Sequence, residues 1–124
     1  METTNFLTNY WKSVKTQNKT EFLTHFHEDA MIYLHDSNDQ FPPEHYMTDD
    51  HGTAWSMTTD RMDKLENGQV VTTTFCRSPQ WVGFITSFFT FKDDQIIRLD
   101  EYFSPCDDNV VPQWRSDLMD EEKV

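Results

Sequence analysis

The sequence predicts an α+β fold in which N-terminal helices pack on one face of a curved, cone-shaped antiparallel sheet, in the order α-α-β-α-β-β-β-β, around an internal pocket. Three observations lead there. Apolar residues recur at helical spacing near the N-terminus, and from Ala54 onward strand-like runs alternate with turn residues for about fifty positions. The apolar content is also concentrated in large rings, with ten Phe, four Tyr and four Trp among 124 residues. Rings of that size line cavities as readily as they fill cores.

Taken in order, Phe6, Leu7, Tyr10, Trp11 and Val14 fall on one face of a first helix, with Thr3 or Thr4 placed to cap it. Asn18 followed by Glu21 resembles a capping box, and Phe22, Leu23 and Phe26 supply the stripe of a second helix ending near His27. "AMIYLHD" (30–36) reads as a short strand, and "SNDQFPP" behind it as loop. A brief third helix is expected from Pro42 or Pro43, because proline is tolerated in a first turn. "WSMTTDRMDKL" and "QVVTTTFCR" flank Asn67 and Gly68, a strong hairpin signal. "SPQ" turns the chain into "WVGFITSFFTF", where Gly83 marks an expected bulge, and "KDDQ" turns it again into "IIRLDEYF". One domain spanning 1–124 is expected, with its core at about 3–105 and an acidic tail, 106–124, partly docked through Trp114.

The formal net charge of −12, from 22 acids against 10 bases, opposes binding to nucleic acid and to anionic lipid. The N-terminus lacks a basic region followed by an apolar run, and no stretch has the length of a membrane span, so the expected location is cytoplasmic. Cys76 and Cys106 are too few for a disulfide framework and lack zinc-site spacing. His25 and His27 fall on different faces of a helix, and His45, Asp49, Asp50 and His51 have no evident supporting shell. No metal and no cofactor is expected.

Three features coincide in order: the helix-one Tyr10, the F-x-x-D-A-x-I run at 26–32, and the F-K-D-D-x-I-I-x-x-x-E-Y-F hairpin at 91–103. With "FLTNYWKSVKTQNKTEFLTHFHEDAMIYLHD" before them and "FFTFKDDQIIRLDEYFSP" behind, residues 3–105 resemble the nuclear transport factor 2-like superfamily, and within it the SnoaL-like group. "H-D-S-N-D-Q-F" and the D-E-Y-F…P-Q-W-R ending look like a bacterial subgroup of it. The superfamily includes ketosteroid isomerases, limonene epoxide hydrolases, polyketide cyclases and binding or scaffold domains, so the likeness implies a fold before an activity.

Residue by residue, the resemblance puts Tyr10 where an isomerase donates to the developing oxyanion, nineteen positions before Asp29. It puts the isomerase's base at Leu34 and its protonated acid at Ser87, so two of three roles are empty. The hydrolase's Arg and Asp fall at Thr74 and Cys76, and only Glu101 keeps an acidic place. His35 and Asp36, beside each other at a strand end, are the acid/base candidates with Tyr10, although neighbours on a strand enter one cavity only if the strand has already bent. The expected pocket lining is Trp11, Leu34, Trp55, Ile85, Ser87, Phe89 and Glu101.

The run 81–91 is apolar on both faces, so something must cover the outer one, and a second copy is the simplest cover: a homodimer through the outer sheet face is expected. In "IIRLDEYFSP" the alternation sets Arg98, Asp100 and Tyr102 on one side and Leu99, Glu101 and Phe103 on the other. Glu101 is then a carboxylate on an apolar face and needs a partner, for which Arg115, Arg77 and a pocket ligand are the candidates. The residues favour binding of a small, mostly apolar organic molecule. Acid/base catalysis of the cyclase or isomerase type, without metal, is the alternative, and a protein-binding scaffold a further one.

Overall fold

A computed structural model describes residues 2–47, 56–79 and 81–106. Helix α1 (Thr3–Lys15) begins at the cap of Glu2, whose carboxylate accepts from the backbone N–H of Thr4 at 3.1 Å and of Asn5 at 2.8 Å. A carboxylate at that end gains from the helix dipole as well as from the two bonds, which is why it displaces the threonines as cap. Helix α2 (Lys19–Thr24) is capped by Asn18, which accepts from the Glu21 N–H at 3.1 Å. It stops before Phe26, which starts β1 (Phe26–Leu34) instead of extending the helical stripe.

The segment expected to be loop holds a three-residue strand, β2 (Asp39–Phe41), antiparallel to β1 after a turn through Asn38 at φ 58°. Its Asp and Gln give no strand pattern, and Pro42 ends it. A single 3₁₀ turn, η1 (Pro43–His45), follows. Strands β3 (Ser56–Lys64), β4 (Val70–Arg77), β5 (Val82–Lys92) and β6 (Gln95–Pro105) then meander. Gly68 at φ 88° closes the first hairpin, and Asp93 and Asp94, at φ 53° and 62°, close the last.

The six strands lie in the order β2-β1-β6-β5-β4-β3. Every pairing is antiparallel except that of β1 with β6, so the sheet is mixed and its first strand is brought alongside its last. Register shifts fall between Thr59 and Arg61 and between Thr90 and Phe91, and such bulges bend a sheet. No shift occurs at Gly83, against the expectation of a bulge there. A Cβ at that position would lie 2.5 Å from the Ser104 carbonyl oxygen and 2.7 Å from the Trp81 ring, so glycine serves a close approach between neighbouring segments.

The inner face of the curved sheet carries Ile32, Leu99, Ile85, Phe89 and Val70 beneath Leu7, Tyr10, Trp11 and Val14 of α1 and Phe22 of α2. Tyr10 sits at an aromatic hub, its ring centroid 5.2 Å from Trp11 and from Phe89 and 5.6 Å from Phe22. Burying each such side chain contributes about 2 kcal/mol. The outer face bears Tyr33, Phe75, Phe84 and Phe88, all half-buried, with Tyr102 44% exposed. Among the described residues, no helix is long and apolar enough to cross a membrane.

Candidate functional site

The strand registers place three polar side chains in one row across the inner face. Thr72 lies opposite Ser87, Ser87 opposite Glu101, and Glu101 beside Leu34. Glu101 is fully buried, and so are Thr72 and Ser87. Its Oε2 accepts from the Ser87 hydroxyl at 2.7 Å and its Oε1 from the Tyr46 hydroxyl at 2.5 Å. Tyr46 follows η1, which turns the chain back over the sheet, and its ring stacks on Phe22 with centroids 5.2 Å apart.

No cation pairs with this carboxyl among the described residues; hydroxyls alone satisfy it. Burial therefore pushes the Glu101 carboxyl above its ordinary range, against the bonds from Tyr46 and Ser87 that pull it down. Burial likewise raises the Tyr46 and Tyr10 hydroxyls well above the usual tyrosine value, with the Glu101 charge adding to both. The result is a cluster of three groups that hold their protons to higher pH than exposed ones would. Cys76, also on the inner face, is pushed up to about 11 by burial, which makes its thiol a poor nucleophile.

Tyr46 also lines a cavity of about 310 Å³, together with Val14, Gln17, Leu34, Phe41, Met47, Met57, Ile85 and Phe103. Its wall is apolar apart from Gln17 and the tyrosine. An organic molecule there would find a hydrophobic sleeve with one hydrogen-bonding end, and behind that end a buried carboxyl. Deeper in the fold, Tyr10 Oη, Trp11 Nε1 and Thr72 Oγ1 are buried without a hydrogen-bond partner among the described residues.

The three acid/base candidates from the sequence are not brought together. Tyr10 is in the core. His35 lies on the outer face, its Nε2 2.7 Å from Asp100 Oδ1 and its ring stacked on Tyr102 with centroids 4.6 Å apart. Asp36 accepts from the Phe103 N–H at 3.1 Å at the strand end. Leu34 faces inward, so strand alternation turns His35 outward.

Of the expected lining, Leu34 and Ile85 meet the cavity, while Ser87 and Glu101 do not line it and lie behind Tyr46, which bonds to Glu101. Trp11 and Phe89 pack in the core beside Tyr10, and Trp55 lies outside the described residues. Arg115 and Trp114 lie outside them too, as do Asp49, Asp50 and His51. Glu101 is not paired with Arg77, whose guanidinium instead lies 5.7 Å from the Phe75 ring. Tyr46 was missed because its contact with Glu101 spans 55 positions and no local pattern marks it. The described residues hold no group of three or more His, Cys, Asp or Glu side chains arranged to bind a metal ion.

No family model matches the sequence, and no curated protein does. Solved structures match it in shape. An NTF2-like protein of unknown function from Burkholderia xenovorans LB400 superposes with a TM-score of 0.71 at 15% identity, covering 91% of this chain and 89% of that one. A putative ketosteroid isomerase from Kribbella flavida DSM 17836 gives 0.65 at 14% identity, covering 88% and 87%. A putative SnoaL-like polyketide cyclase from Shewanella putrefaciens CN-32 gives 0.61 at 6%, covering 79% and 77%. At these identities the likeness is one of fold: the chain shares the α+β cone of these structures.

Proposed function

We propose that this NTF2-like chain binds a small, mostly apolar organic molecule in the cone cavity, its one polar group hydrogen-bonded to Tyr46. The observation that carries this reading is the joining of an apolar cavity of about 310 Å³ to the buried Tyr46, Glu101 and Ser87 cluster through a single tyrosine. A thermal-shift screen of neutral terpenoid alcohols and phenols, which can donate to the Tyr46 oxygen, tests it. Binders should raise the melting temperature of the wild type and lose that effect in Leu34→Phe, which narrows the cavity. Equal shifts in the two proteins, or none in the wild type, would refute it.

A second reading, acid/base catalysis, is favoured by one observation: a carboxyl that burial pushes above its ordinary range is bonded to Tyr46, whose hydroxyl burial also raises. The resemblance assigns an isomerase's acid to Ser87. Here the carboxyl stands one strand over, on Glu101, bonded to that serine. In this reading Glu101 exchanges a proton with the substrate through Tyr46. Turnover of an unsaturated ketone, followed by the absorbance of the conjugated product, should then vanish in Glu101→Gln.

We further infer that the aromatic outer face pairs with a second copy of the chain, because Phe75, Phe84, Phe88 and Tyr102 share a face that no helix of the described residues covers. Light scattering at micromolar concentration should give a dimer mass. A monomer mass would end the idea.

A further inference from the structure

A second cavity among the described residues is separate from the Glu101 cluster. It is a groove of about 500 Å³ between α1 and β3, floored by Leu7, Trp11, Met57 and Met62 and rimmed by Lys12 and Lys15. Helical periodicity builds it. Leu7 and Trp11, four apart, form an apolar stripe; Lys12 and Lys15 lie beside it on the last turn, and both stripes look toward the inward-facing residues of β3. The floor suits varied shapes, since methionine side chains adapt to what lies against them. Met57 is the only described residue common to this groove and the cone cavity.

Its charge is anomalous for this chain. With 22 acids against ten Lys and Arg, a surface groove should be lined by carboxylates, yet among the described residues none lines this one. Neither Lys12 nor Lys15 has a carboxylate in salt-bridge range among those residues. Lysines in a last helical turn do complement the carbonyl end of the helix, which accounts for their sign. It does not account for an acid-free wall across from them.

We propose that this groove is a second binding site, for a small molecule with an apolar body and a single anionic group such as a carboxylate. The body lies along Met57, Met62 and the exposed edge of Trp11, and the anion sits between the Lys12 and Lys15 ammonium groups, whose aliphatic stems extend the apolar surface. Such an anion meets local attraction despite the net charge, because the charges that line the groove are those of Lys12 and Lys15, while exposed charges beyond a screening length are damped by salt.

Calorimetric titration of the whole chain with decanoate and with decanol, at low and high salt, tests it. Decanoate should bind the wild type and weaken on adding salt, and the exposed double variant Lys12→Gln, Lys15→Gln should bind it about tenfold more weakly. Decanol affinity should not change between these two proteins. Leu34→Phe, which narrows the cone cavity, should leave decanoate affinity as it was. The proposal is overturned if the lysine variant binds decanoate as tightly as the wild type, if Leu34→Phe abolishes that binding, or if the wild type binds no decanoate. The screen for cone ligands, which reads neutral molecules against Leu34→Phe, can fail or succeed independently.

Discussion

Asp100 and Glu101 are neighbours on β6, carry the same functional group and face opposite ways. Asp100 looks outward, where Arg98 Nε lies 2.9 Å from its Oδ2 and His35 Nε2 2.7 Å from its Oδ1. Partial burial pushes that carboxyl up, but the bonds from Arg98 and then His35 outweigh it and hold it below the usual range. Glu101 looks inward, where two hydroxyls bond it and burial wins. One step along a strand thus separates a structural ion pair from a buried acid. Composition, local charge density and strand propensity are the same for both, and strand parity decides between them.

The largest effect expected from this contrast is on stability. Glu101→Ala leaves a cavity and strands the Tyr46 and Ser87 hydroxyls, at a cost of about 3 kcal/mol. Asp100→Ala removes a pair whose arginine is half exposed, 49% at its side chain, so screening limits the loss to about 1 kcal/mol. Chemical denaturation of the two variants reads the difference, and equal losses would erase the distinction. Tyr46→Phe comes next, at about 1 to 2 kcal/mol, because it deletes one donor to a buried carboxyl while keeping the stack on Phe22. It should also move the Glu101 titration midpoint further up, since the lost bond favoured the charged form.

Much of this was legible in the residues. The Asn67 and Gly68 hairpin, the meander of long strands and the odd carboxylate at Glu101 all follow from local turn chemistry and alternation, which are properties of a few adjacent positions. The same alternation, carried from Leu34 to His35, would have turned the histidine outward as well. The parallel pairing of β1 with β6, the three-residue β2 and the bond from Tyr46 to Glu101 rest on contacts between distant parts of the chain. No window of sequence holds them. Gly83 shows the limit from the other side: its residue type marked a constraint, but only the neighbouring Ser104 carbonyl and Trp81 ring show that the constraint is space rather than a bulge.

The two carboxyls also give pH dependences of opposite sign. Glu101 keeps its proton to higher pH when folded than when unfolded. Its contribution is full below the unfolded value near 4.3 and declines as pH rises through the native midpoint. Asp100 is the reverse: its contribution is full above about 3.9 and is lost as pH falls through its depressed native midpoint. The Glu101→Gln variant should therefore gain on the wild type as pH rises, and Asp100→Asn should recover relative to it as pH falls.

The most direct test is a carbon-13 NMR titration that follows the side-chain carboxyls of Asp100 and Glu101 in one sample. The expected result is a Glu101 midpoint above the ordinary glutamate value and an Asp100 midpoint below the ordinary aspartate value. A Glu101 midpoint at or below its ordinary value would contradict the account, because the cone would then hold an ordinary solvated carboxylate and not a buried acid behind Tyr46.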